Sequence, residues 1–259
     1  MKKLLIYGLS ISSLVLGNNV FADQTILKSR ARQHQISEKF VQRQVEQNIT
    51  ISRAIRSIVS HYPQKAASLV ATALDLYPQD YKEIIHAAIS AQPTLADEVV
   101  TIALKKNLSS CSDIVETAIH ADPSYIDFVV TAAAESTPDK LSEIVRIAVK
   151  TQPDSADYIV RALARKHPSK IVEILQSAIS AVPFVGEYVV EALLAVFPKE
   201  EEIVVTTAVR ESSAQRKYVK KVIGAAQNAG VDVQKLQAYA INGGATIEEL
   251  SQVLIPNTP

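Results

Sequence analysis

The carboxylates of this chain fall into two columns of constant pitch. Asp97, Asp127, Asp157 and Glu187 recur at an interval of thirty positions, and so do Glu83, Asp113, Glu143 and Glu173. Stacked along one edge, such acids could bind cations or basic peptides. Gathered in a closed cleft with perturbed pKa values, they could serve a hydrolase. The same residues sit in first helical turns, where an acid offsets the positive helix end, and capping is the role we expect of them. A calcium site needs several carboxylates and carbonyls converging from one loop, and the sequence has no such loop. The five histidines, His34, His61, His86, His120 and His167, are never three or four positions apart and none accompanies a cysteine. No metal site is predicted from them, and they are expected to be ordinary surface residues. The lone thiol, Cys111, cannot form an intrachain disulfide and replaces an Ala, Leu or Ile of other units, as a small core residue would. Serine nucleophile elbow, phosphate loop, dinucleotide fingerprint and zinc-protease helix are all absent, so neither an enzyme nor a bound cofactor is expected.

A third column is aromatic. Phe128, Tyr158, Tyr188 and Tyr218 recur at the same interval as the acids. Rings at that pitch could contact an extended polymer or a partner helix. Packing between hairpins, with the hydroxyls at the rim, is the expectation. Val182-Pro183-Phe184-Val185 is an apolar turn where a sister turn reads Gln152-Pro153-Asp154-Ser155. Phe184 therefore marks either an exposed partner site or a turn packed under the C-terminal helices. Lys105-Lys106, and Arg165-Lys166-His167 with Lys170, make basic spots suited to helix C-termini.

The elements that must position these residues are set by proline. Prolines stand at 63, 78, 93, 123, 138, 153, 168, 183 and 198, a constant step of fifteen positions that doubles once, across Leu108. Counting each proline as zero, apolar residues recur at +3, +6, +7, +10 and +11, as in Leu141, Ile144, Val145, Ala148 and Val149. That spacing is one face of a helix. Each unit is thus a helix of about eleven residues plus a proline turn, with consecutive helices antiparallel. Thr94 before Asp97, Ser124 before Asp127, and Asp154 before Asp157 look like capping pairs. Units alternate in the position of the acid, +4 in type A and +5 in type B, so the true repeat is a hairpin of two units. Apolar residues at +5 and +9 predict a wider buried face for type A. Type B is amphipathic and is expected to form the outer layer.

The ends depart from this pattern. Lys2 and Lys3, an apolar stretch over 4–16, and Val20-Phe21-Ala22 form a signal peptide, with cleavage predicted after Ala22. Residues 23–47, rich in glutamine and basic side chains, are expected to be a polar arm with a capping helix near 36–45. The array proper covers 48–227. Residues 228–259 should hold two capping helices and a tail, with Thr246 and Glu249 forming a capping box. Seven glycines and no tryptophan argue against an all-β chain, and 47% apolar content suffices for a core. A formal net charge of zero gives no bias toward nucleic acid. No segment beyond the leader is long enough to span a membrane.

The stacked hairpins over 48–227 resemble bacterial α-solenoids in the broad sense and are similar to TPR or HEAT arrays. They lack the tryptophan, glycine and tyrosine pattern of TPR units, and the helices are shorter. The resemblance implies an all-α superhelix that serves as a binding scaffold. The sequence thus leads us to expect an exported, non-enzymatic scaffold for protein or peptide partners in the bacterial envelope, periplasmic or secreted. The alternatives are a surface-polymer or carbohydrate binder using the tyrosine column, and a hydrolase built on the array.

Overall fold

The computed structural model describes residues 18–254. Residues 1–17 of the signal peptide expected over 1–22, and residues 255–259, lie outside the described residues, and the expected cleavage point after Ala22 falls within the first helix. The described chain is all-α, with no strand. Its fifteen helices are α1 Asn18–Gln47, α2 Ile51–His61, α3 Ala66–Leu76, α4 Tyr81–Ala91, α5 Ala96–Lys105, α6 Cys111–Ala121, α7 Ile126–Ser136, α8 Leu141–Thr151, α9 Ala156–Lys166, α10 Ile171–Ala181, α11 Gly186–Val196, α12 Glu201–Ser212, α13 Arg216–Asn228, α14 Val233–Asn242 and α15 Ile247–Val253. No helix among the described residues is long and apolar enough to cross a membrane.

The constant proline step has a direct geometric origin. A unit such as Pro63 to Tyr77 is a 3-residue 3-10 turn, an 11-residue α-helix and one residue that leaves the helical region. That last residue precedes the next proline, whose ring disfavours α geometry at the position before it. Gln92, ahead of Pro93, illustrates the break with φ −146° and ψ 88°. Proline then opens the 3-10 turn, where its missing N–H is no loss. The Leu95 N–H donates to the Gln92 carbonyl at 3.0 Å, and the Ala96 N–H to that of Pro93.

This arrangement corrects the expected helix starts. Thr94, Ser124 and Asp154 do not cap through their side chains. The tightened turn satisfies the first N–H groups with backbone carbonyls instead, leaving little for a side-chain oxygen to do. The unit without proline shows the contrast. Asn107 ends its helix with φ 51°, the left-handed conformation that asparagine tolerates. Ser110 then caps α6, its Oγ accepting from the Asp113 N–H at 3.1 Å. Different local chemistry keeps the same register.

Each helix packs on its chain neighbour and on the helix two places along, so odd- and even-numbered helices form two layers. Type A units fill the odd layer and type B units the even one. Both bury +3, +6, +7, +10 and +11, for example Ala156, Ile159, Val160, Leu163 and Ala164 in α9. Position +9 is buried or half-buried alike in both layers, as Ala192 and Ile102 in the odd one and Ala87 and Ile147 in the even one, and +5 of type A is exposed, so the wider face predicted for type A is not found. One continuous core runs from Val41 to Leu250.

The ends close the core. The polar arm expected over 23–47 is helical in its entirety as part of α1. No glycine or proline interrupts it, and its Gln, Arg, Lys and Glu residues favour helix. Its last turns form the cap. Val41 is buried, and the Phe40 ring meets that of Tyr62 edge-on at 5.1 Å. At the other end Gly243 lets α14 approach α12. A Cβ there would lie 2.7 Å from the Thr206 carbonyl oxygen. The Thr246 capping box is formed, with the Glu249 N–H donating to Oγ1 at 3.2 Å and the Thr246 N–H to the Glu249 carboxylate at 2.8 Å.

Candidate functional site: an aromatic face on the odd layer

The four rings of the aromatic column sit at +5 on α7, α9, α11 and α13. With about 3.6 residues per turn, +5 points roughly 170° from the mean direction of the buried positions, so it faces away from the core. Phe128, Tyr158 and Tyr188 are accordingly 50%, 60% and 52% exposed. Tyr218 is half-buried. The expectation that this column packs between hairpins is overturned for the first three. Aromatic type suggests burial, while the helical angle places these rings in solvent.

The rings carry charged neighbours. The Arg161 guanidinium lies 4.9 Å from the centre of the Tyr158 ring while pairing with Asp157 at 3.0 Å. Lys217 lies 4.8 Å from the centre of the Tyr218 ring. Such stacked cations stabilise by about 0.5–1 kcal/mol at exposed sites. Tyr125 tilts against Phe128 at 5.4 Å. Between α9 and α11 the surface dips into an open groove of about 530 Å³, lined by Asp154, Tyr158, Arg161, Phe184, Tyr188 and Glu191. One step earlier a groove of about 320 Å³ lies between α7 and α9, bounded by Pro123, Ile126 and Asp127 on one side and Tyr158 on the other. Tyr158 is the wall common to both. The apolar turn divides by residue. Val185 is fully buried, and Phe184, 41% exposed, joins the larger groove.

The acid columns have other work. In the even layer they form a ladder from each helix to the next. Ser52 donates to Glu83 at 3.4 Å, Ser112 to Glu143 at 2.7 Å and Ser142 to Glu173 at 2.8 Å, while Lys82 approaches Asp113 at 3.9 Å. Hydrogen bonds from Ser110 and Ser109 hold the Asp113 carboxyl below the usual range. Ser142 and then Lys170 do the same for Glu173. These acids therefore tie successive hairpins together. The ladder is visible in the sequence as a donor at +4 followed, one hairpin later, by an acid at +5.

In the odd layer Glu187 pairs with Lys221 at 2.8 Å, which raises the lysine pKa. The basic spots pair across hairpins as well, Lys106 with Asp75 and Lys166 with Glu135. No group of three or more His, Cys, Asp or Glu side chains among the described residues is placed to hold a metal ion. His167 departs from the expected surface role, for its Nε2 is buried and unpartnered. Cys111 is a core residue as read from the sequence, with burial pushing its thiol pKa up.

No protein-family model, curated protein or solved structure matches this chain.

Proposed function

We propose that this chain is an exported, non-enzymatic repeat scaffold of the bacterial envelope that binds a polypeptide partner along the aromatic face of its odd layer. One observation carries the reading. Three large rings occupy the same outward position on consecutive odd-layer helices, and a fourth continues the column. Burial elsewhere is complete and regular, so these rings are not needed to fill the core. Exposed aromatic side chains supply contact area at low entropic cost, which is why they anchor interfaces. A repeat array extends that surface in one direction, as elongated ligands require.

The mixed character of the face favours a polypeptide over a sugar polymer. Arg161 and Lys217 already occupy one face of the Tyr158 and Tyr218 rings. Asp154 and Glu191 add charges that a peptide can answer. A scaffold is favoured over a hydrolase because the even-layer acids engage neighbouring hairpins along the array, while Asp157 pairs with Arg161 in an open groove. Export rests on the leader, whose removal would leave Asp23 as the first residue.

A photo-crosslinking amino acid placed at Tyr188, in cells expressing the chain, tests the binding surface. Discrete crosslinks to a polypeptide are expected from position 188 and not from Lys150 on the even layer. Crosslinks of equal yield from both positions, or from neither, would refute the assignment of this face.

A further inference from the structure

We propose that the aromatic face takes a polyproline II segment with a proline at every third position and basic residues between the prolines. This rests on the reading of the column as the binding surface and names the chemistry of its partner.

Successive helices in a packed layer are about 8–10 Å apart, so the grooves on either side of Tyr158 repeat at that step. A polyproline II helix advances about 9.3 Å per three-residue turn. Two prolines one turn apart therefore reach the two grooves together, one against the Tyr158 face turned to the smaller groove and one against Tyr188 and Phe184 in the larger, where Arg161 covers the other Tyr158 face. A β-strand returns a side chain to the same face every two residues, about 6.6–6.8 Å, and falls out of step within one groove. An α-helix returns about every 5.4 Å, which sets alternate anchors over the ridges between grooves.

The lining fits the same ligand. Proline rings dock against exposed aromatic surfaces such as Tyr158, Tyr188 and Phe184. The backbone of a polyproline II helix makes no internal hydrogen bonds, so its carbonyls are free to accept. The hydroxyls of Tyr158 and Tyr188 have no hydrogen-bond partner among the described residues and can donate to them. Arg161 is neutralised by Asp157, while the exposed Asp154 and Glu191 have no ion-pair partner among the described residues. The larger groove therefore carries a net negative charge, which selects lysine or arginine between the prolines.

Fluorescence anisotropy on the full chain tests this with labelled peptides of about twelve residues, four turns of polyproline II. The first carries proline at every third position with lysines between. The second has the same composition with the prolines moved out of the three-residue register. The third is a helical peptide of equal charge. We expect the first to bind, the second to bind at least about ten-fold more weakly, and Tyr158→Ala to weaken the first by a similar factor. Tyr62→Ala, an exposed ring off the column, should leave binding unchanged. Circular dichroism of each variant separates loss of binding from loss of fold. Equal binding of the first two peptides would mean that charge alone is recognised and would overturn the proposal, as would tighter binding of the helical peptide. If no peptide binds while Tyr188 still crosslinks a polypeptide in cells, this partner class falls and the binding surface stands. If Tyr188 crosslinks nothing and no peptide binds, both fall.

Discussion

Glu173 shows how single residues hold this array together. Ser142, on the preceding even-layer helix, donates to it at 2.8 Å, and Lys170 pairs with it at 3.0 Å. Both contacts favour the charged carboxylate, so its folded pKa is lowered. A depressed carboxylate pKa contributes stability above the unfolded value of about 4.3, and that contribution is lost as pH falls through the folded value. Ser142→Ala should therefore raise the Glu173 pKa, read by NMR titration, and lower stability at neutral pH. The difference between variant and parent should shrink as pH drops below about 4. A difference of constant size down to about pH 2 would assign the effect to packing instead. Only part of this is legible in the sequence. The acids at +5 are evident, but their partners lie one hairpin away, and a reading confined to each helix turns them into caps.

At the scale of the element, the proline-led turn replaces the side-chain cap. Where proline is present, Thr94→Ala should change stability by only about 0.3 kcal/mol or less, because no cap bond is lost. Where it is absent, Ser110→Ala should cost about 1 kcal/mol, since the Asp113 N–H loses its acceptor. Denaturant melts of the two variants check the contrast, and equal losses would contradict it. The helices themselves are legible, because a constant proline step combined with apolar steps of three and four admits one structure. The caps mislead because Thr, Ser and Asp fit the capping pattern by type, while the 3-10 turn has already satisfied the N–H groups. The +5 aromatics mislead for a related reason. Residue type suggests the core, whereas the helical angle of Tyr158 and Tyr188 points into solvent.

At the scale of the molecule, contacts run only between near neighbours in each layer and across to the adjacent one. Coupling along the array should be local. Val145 is fully buried in α8. Val145→Asp places an unpaired charge in the core, a change that costs several kcal/mol or more. Hydrogen exchange should then rise chiefly in α6 to α10, with α2 and α14 retaining most of their protection. A uniform rise would show that the chain unfolds as one unit. The same one-dimensional design gives the aromatic face its reach. Extending a surface by one ring requires one more hairpin, and the core is indifferent to which residue stands at +5.

In the function we propose, the aromatic column binds and does not hold the fold. Paired measurement of melting temperature and partner capture in the Tyr158→Ala/Tyr188→Ala double variant tests it most directly. Exposed substitutions usually change stability by no more than about 0.5 kcal/mol each, so the melting temperature should stay nearly that of the parent. Capture of the polypeptide that crosslinks at position 188 should collapse. A melting temperature lowered to the extent expected of large-to-small core changes, about 3–5 kcal/mol each, with capture falling only as the protein unfolds, would contradict the claim and return the column to a packing role.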